Sequence, residues 1–175
     1  MDKGARFRAL WRRPSWVRIP PPAFNMKKLK IYYSKQINLN GIKDALNENF
    51  GVKIEDAGYL YLPENAYNKI RGQYNAILLL SVLPSASLWI VDKDIYIRGM
   101  NFVFGVAFQQ KAIVSSYKLT EEMVIKEAVH EVGHIFGLEH CRNECVMQFS
   151  NSLAEAIKKP SYLCSDCKKK ITKDI

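Results

Sequence analysis

Histidine is scarce in this chain, with 3 in 175 residues, and all three fall between His130 and His140. Long apolar runs are missing altogether. No stretch reaches the ~18 apolar residues of a membrane-spanning helix, and the first 25 residues lack the run of about seven that a secretory signal needs. The absence of an internal repeat sets aside repeat architectures. Composition is otherwise ordinary: 48% hydrophobic and 25% charged residues over this length suit one globular domain with a sizeable core. The formal net charge of +9 would suit nucleic acid or an acidic membrane surface. However, the first 25 residues hold six basic residues against Asp2, which leaves only +4 for the rest. A body with that charge gives no reason to expect a nucleic-acid or membrane partner.

The first 25 residues differ in kind from the remainder of the chain. They are Arg-rich, contain Pro20-Pro21-Pro22, and show neither helical nor strand periodicity. Residues 1–25 are therefore expected to be a disordered extension, dispensable for chemistry and explained by a misplaced start. A basic docking arm and a transit sequence are the alternatives. Met26 opens Lys27-Lys28-Leu29-Lys30-Ile31-Tyr32-Tyr33, which reads as a first strand, so residues 26–175 are expected to form the domain.

The histidine window reads H-E-x-x-H-x-x-G-x-x-H from His130 to His140. On a helix turning about 100° per residue, His130 and His134 share one face, one turn apart, and can hold the same ion. Glu131 sits beside the first ligand, where its carboxylate can reach a water on that ion. Gly137 can adopt positive φ at little cost, end the helix and bring His140 back as third ligand. Three neutral imidazoles leave the fourth position of a tetrahedral zinc open, as a catalytic site requires. The competing reading is a structural helix with incidental histidines. The presence of the third ligand and the glycine together weighs against it.

Four cysteines lie beyond the window. Cys141 and Cys145 form one close pair, and Cys164 and Cys167 another. Two such pairs separated by a loop suit a four-thiolate zinc site, which would tie the loop after His140 to a short polar tail. Two disulfides or free thiols are the alternatives. Without a secretory segment, a reducing, cytoplasmic setting is expected, which favours metal. Met147 lies on the same loop and, by itself, suits core packing.

Together these residues carry a resemblance. The run from Lys126 to Cys167, with Phe149 to Ser152 reading FSNS, closely resembles the archaemetzincins, a family of metzincin-type zinc peptidases. Arg71-Gly72-Gln73-Tyr74-Asn75 and Gly99-Met100-Asn101-Phe102-Val103-Phe104-Gly105 extend the resemblance over most of the chain after Met26. It implies a catalytic zinc on His130, His134 and His140, with Glu131 as general base. It also implies a structural zinc on Cys141, Cys145, Cys164 and Cys167, and Met147 as the turn beneath the catalytic metal. The implied chemistry is hydrolysis of peptide or protein substrates by a protein expected to be monomeric, with two Zn2+ per chain. A zinc-stabilised binding or scaffolding protein with an idle site is the alternative. The chain departs from the family pattern in having one residue fewer between Cys141 and Cys145, and Ile157 where an aspartate is expected.

Local patterning predicts strands at Ile31–Tyr33, Val52–Asp56, Leu88–Val91, Asp94–Ile97, Phe102–Phe108 and Ala112–Ser116. Helices are predicted at Leu39–Phe50, at Asn68–Leu83, from Thr120 through the histidine window, and at Asn151–Lys158. Tyr59–Tyr67 reads as a loop. The expected fold is α/β: a single metzincin-like zincin domain with a mixed sheet, a long zinc-binding helix and a C-terminal tail stabilised by the cysteines. Asn101–Ala107 is the candidate edge strand for pairing with extended substrate.

Overall fold

The computed structural model describes residues 26–150 and 152–173, so the expectations for residues 1–25 lie outside it. The chain runs β1 (Lys28–Tyr33), α1 (Asn40–Phe50), β2 (Lys53–Tyr59), a 3₁₀ turn (Glu64–Ala66), β3 (Tyr67–Asn68), β4 (Gln73–Asn75) and α2 (Ala76–Val82). It continues through β5 (Ser87–Val91), β6 (Ile95–Tyr96), β7 (Gly105–Phe108), β8 (Lys111–Ser115), α3 (Glu121–Ile135), α4 (Leu153–Lys158) and α5 (Ser165–Lys173). The main sheet has the order β2-β1-β5-β8-β7, parallel except for the antiparallel edge strand β7. A small second sheet joins β3, β4 and β6.

Side-chain alternation along the central strands sets the layering. On β5, Leu88 and Ile90 face a core shared with α1 and α3, while Trp89 and Val91 face a second core built on α2. β8 repeats the pattern, with Ala112 and Val114 on the first side and Ile113 on the second. Every residue of β5 is buried, as a parallel strand covered on both faces requires. The result is a three-layer α/β/α arrangement, and the mixed sheet agrees with the sequence expectation.

Three segments differ from the sequence reading. Asn68–Leu83 is not one helix: its first part is the β3–β4 hairpin, and only Ala76–Val82 is helical. The cause is local. The Asn68 carboxamide accepts from the backbone N–H groups of Ile70 and Arg71, an asparagine turn that competes with helix formation. Asn75 then caps α2 by accepting from Ile77 and Leu78. Apolar periodicity alone did not reveal these polar stops. The cysteine tail, read without secondary structure, is the helix α5. The predicted Phe102–Phe108 strand contracts to Gly105–Phe108, and Val103 makes an isolated bridge to Ile95 outside the main sheet.

The Asn75 cap should matter. Replacing Asn75 by Ala should lower unfolding stability by about 1 kcal/mol in urea titrations, with the titration slope preserved. An unchanged midpoint would show that the cap contributes nothing.

Candidate active site and cysteine cluster

Helix α3 places the first two histidines. Thr120 caps its start by accepting from Met123 N–H, and Glu121 and Glu122 occupy the first turn, where negative charge is favoured. At the other end the Gly137 N–H donates to the His134 carbonyl and the Leu138 N–H to the Gly133 carbonyl. With Gly137 at φ 80°, this is a Schellman closure, and the left-handed residue has no Cβ to clash. Leu138 is buried and turns the chain back, so that His140 reaches the other two rings. Ring centroids lie 4.8 Å apart for His130–His134, 5.4 Å for His130–His140 and 4.9 Å for His134–His140. One ligand nitrogen from each ring falls within 4.8 Å of the others.

The protonation of two rings is set by their partners. His130 Nδ1 lies 2.9 Å from the Val146 carbonyl and His134 Nδ1 2.8 Å from the Leu138 carbonyl. A carbonyl oxygen only accepts, so both Nδ1 atoms must carry the proton. Burial pushes the His130 ring well below the ordinary imidazole range, helped by the Lys159 charge and by repulsion that would arise were His134 protonated too. Burial lowers His134 as well, against the bond to Leu138. Both rings are therefore neutral, with bare Nε2 atoms 3.2 Å apart. Two lone pairs facing each other at that distance suit a cation between them. The separation is close to the ~3.3 Å edge of a tetrahedron with Zn–N bonds of ~2.0 Å.

Glu131 is buried. Burial holds its carboxyl well above the ordinary carboxylate range, the Glu127 charge adds to this, and Lys159 opposes it. β7 begins directly against it. A Cβ on Gly105 would sit 2.6 Å from Glu131 Cγ and 2.9 Å from Oε1 and from the Ile113 carbonyl. Only glycine fits between the edge strand and this carboxyl. The turn beneath the histidines is equally close: Met147 is fully buried, and a Cβ on Gly133 would collide with its sulfur. Phe149, from the FSNS stretch, packs its ring 5.0 Å from His140.

The four cysteines also converge. Cys141 and Cys164 place their sulfurs 3.8 Å apart, as do Cys145 and Cys167, and all four sulfurs lie within 4.8 Å. A disulfide needs ~2.0 Å, whereas ~3.8 Å is the edge of a tetrahedron with Zn–S bonds of ~2.3 Å. At Cys164 burial opposes the thiolate. Hydrogen bonds from the Cys167 backbone, Asn143 and the neighbouring thiols outweigh it and bring the group down to about 6. The donor set fits a closed four-sulfur zinc site.

Sequence reasoning missed one pair beneath this site. Glu127 precedes Glu131 by one helical turn, and Lys159 reaches it from the segment after α4, 2.9 Å away, with both side chains buried. Beside it Lys126 donates to the Ile157 carbonyl. These two lysines fasten the α4 segment to α3. The i, i+4 spacing of Glu127 and Glu131 was visible in the sequence. The partner from 32 residues downstream was not.

Three converging imidazole donors suit a catalytic zinc, and four converging thiols suit a structural one. On this α/β/α fold the two together define a zinc metallopeptidase. Comparison with known proteins narrows the class: the profile of Peptidase family M54 matches residues 26–173, and the chain belongs to that family. An archaemetzincin of Archaeoglobus fulgidus is 40% identical over 159 residues, covering 82% of this chain and 99% of the relative. One from Nanoarchaeum equitans is 43% identical over 139 residues, covering 75% and 81%. The crystal structure of archaemetzincin from A. fulgidus complexed with malonate superposes with a TM-score of 0.76 at 36% identity, over 82% of this chain and 99% of that one.

Two consequences are measurable. Replacing Lys159 by Met would leave Glu127 buried without its cation, and should cost about 3–5 kcal/mol. The double change with Glu127→Leu should recover most of that loss in thermal unfolding; no recovery would refute the pairing. The second concerns pH in the metal-free protein. The unfolded chain protonates its histidines below about pH 6.5, while the folded rings stay neutral. Each ring's contribution is thus present above that value and lost as pH falls below it, by up to about 1.4 kcal/mol per unit. Metal-free His134→Gln should lose less stability than metal-free wild type between about pH 7 and pH 5; equal losses would contradict the neutral-ring assignment.

Proposed function

We propose that His130, His134 and His140 hold a catalytic zinc, that Glu131 is the general base, and that Cys141, Cys145, Cys164 and Cys167 hold a second, structural zinc. The observation that carries this reading is the pair of bare Nε2 atoms 3.2 Å apart, with the buried Glu131 beside them. Each ring is held in that tautomer by a backbone carbonyl, a common second-layer arrangement around zinc ligands. Bound zinc supplies a Lewis acid that polarises a carbonyl and makes a water more acidic.

The protein's own groups do the rest. Substrate lies extended along the free edge of β7, pairing by main-chain hydrogen bonds, so that its scissile carbonyl reaches the histidines. Glu131 accepts a proton from the attacking water and passes it to the nitrogen of the leaving amine as the C–N bond breaks. Gly105 keeps the edge strand and the carboxyl in contact without a side chain between them. His140 is exposed, so the three-histidine site opens to solvent on that side. The cysteine site is closed by its four sulfurs and serves to anchor α5 and the loop after His140.

The test joins metal analysis to cleavage. Wild-type protein should contain two zinc ions per chain, and His134→Gln one. A Cys164→Ser, Cys167→Ser double variant should lose the other and melt earlier. A diverse peptide library should be cleaved by wild type and spared by Glu131→Ala, with both ions retained. Equal cleavage by the two proteins would remove Glu131 from the mechanism. Cleavage by neither would favour a binding protein with an idle site.

A further inference from the structure

The Arg71–Asn75 hairpin and the Gly99–Gly105 stretch lie far apart in the chain, yet in the fold they are one unit. Arg71 Nη2 donates to the carbonyls of Met100 and Asn101, both at 2.9 Å. Its Nε donates to Gln73 Oε1 at 2.9 Å, and its guanidinium lies over the Tyr96 ring, 4.3 Å from the centroid. Gln73 is buried, and its amide donates to Asp94 Oδ2 at 3.0 Å and to the Asn101 carbonyl at 2.8 Å. Asn68 completes the set by donating to the Tyr96 hydroxyl.

The recipient of these bonds is the loop between β6 and β7. Two consecutive carbonyls are captured by side chains, and so are withheld from any strand ladder. The strand itself starts further on, at Gly105. Val103 then makes an isolated antiparallel bridge to Ile95, the Phe104 carbonyl accepts from Ser115, and Gly105 arrives against Glu131. A buried glutamine with its oxygen and both amide hydrogens engaged specifies one geometry, because any shift leaves a polar group unpaired in the interior. The loop thus has one allowed path into the edge strand.

We propose that Arg71 and Gln73 are positioning residues for substrate. They hold the 98–104 loop so that β7 begins over Glu131 with its free edge oriented for a peptide. Neither residue touches the reacting atoms; they act through the backbone of Met100 and Asn101. This inference rests on the reading of β7 as the substrate-pairing edge. The purely structural alternative is that the network only stabilises the hairpin, and it makes a different kinetic prediction.

The discriminating experiment uses Arg71→Ala, Arg71→Lys and Gln73→Ala in the zinc-loaded protein, acting on the peptide that wild type cleaves best in the library. Lost positioning of a binding edge removes uniform binding, which raises KM and leaves kcat nearly unchanged. The expected rise in KM for Arg71→Ala is about tenfold, the equivalent of one charge-assisted hydrogen bond, with zinc content unchanged. Lysine lacks the planar fork that spans two carbonyls and Gln73, so Arg71→Lys should rescue only partly. Hydrogen exchange of the amides at 98–105 should quicken in Arg71→Ala and in Gln73→Ala. Binding of the same peptide to Glu131→Gln protein, measured by fluorescence anisotropy, should weaken on adding Arg71→Ala. Unchanged KM and unchanged binding would overturn the proposal, even with faster exchange; so would a loss confined to kcat. If Arg71→Ala fails to fold, Gln73→Ala carries the same test. Equal activity of wild type and Glu131→Ala would instead defeat the peptidase reading, an outcome separate from any effect of Arg71.

Discussion

Between the histidine helix and the cysteine cluster lies the backbone of Cys145, Val146 and Met147, and each of its groups is engaged on a different side. The Val146 carbonyl holds His130 Nδ1, while the Val146 N–H donates to the Tyr162 carbonyl. The Met147 carbonyl accepts from Cys141 N–H, and the Met147 sulfur fills the space that Gly133 leaves on the helix. The Cys145 sulfur meets Cys167 on α5 and accepts from the Cys164 backbone. If this turn moved, one histidine would lose its tautomer, the helix its packing and the cysteine cluster a corner. The two sites share this support, so ordering one favours ordering the other.

Helix α3 is unusual in what it buries. Lys126, Glu127, His130 and Glu131 all lie inside alongside the apolar face. Such burial is costly unless each group finds a partner. Partners from outside the helix meet three of them: Lys159 meets Glu127, the Ile157 carbonyl meets Lys126, which also pairs with Glu122 one turn back, and the Val146 carbonyl meets His130. The segment between Val146 and Lys159 therefore satisfies the helix as much as the helix satisfies it. The same burial that favours neutral histidines also raises the proton affinity of Glu131, so a single physical cause acts on both.

Much of the site was legible because its parts lie close in the chain. His130, His134 and Gly137 are related by helix period and by a glycine turn, and the Schellman closure appears where the spacing implied it. α3 begins just after Thr120, where the helix was predicted to start, and α1 spans Asn40–Phe50, within a residue of its predicted start. The failures have a common character. In Asn68–Asn75 apolar periodicity suggested helix, while Asn68 and Asn75 redirected the backbone through side-chain hydrogen bonds. In Phe102–Phe104 apolar content suggested strand, while Arg71 and Gln73 hold the Met100 and Asn101 carbonyls just before it and Val103 bridges Ile95. In both places a polar side chain competed successfully for the backbone, and hydrophobic pattern carries no signal of that competition.

By itself, the sequence determined the α/β class, the histidine helix, the glycine turn that returns His140, and the convergence expected of four cysteines. These rest on 3.6-residue periodicity, on the conformational freedom of one glycine, and on donor types at short spacing. Only the tertiary structure decided which carbonyl fixes each imidazole and which lysine balances Glu127. It also placed Gly105 on Glu131 and set Arg71 and Gln73 to steer the edge strand. Those pairings join residues distant in the chain, and they are selected when burial removes water and leaves each polar group only the partners that packing brings within reach.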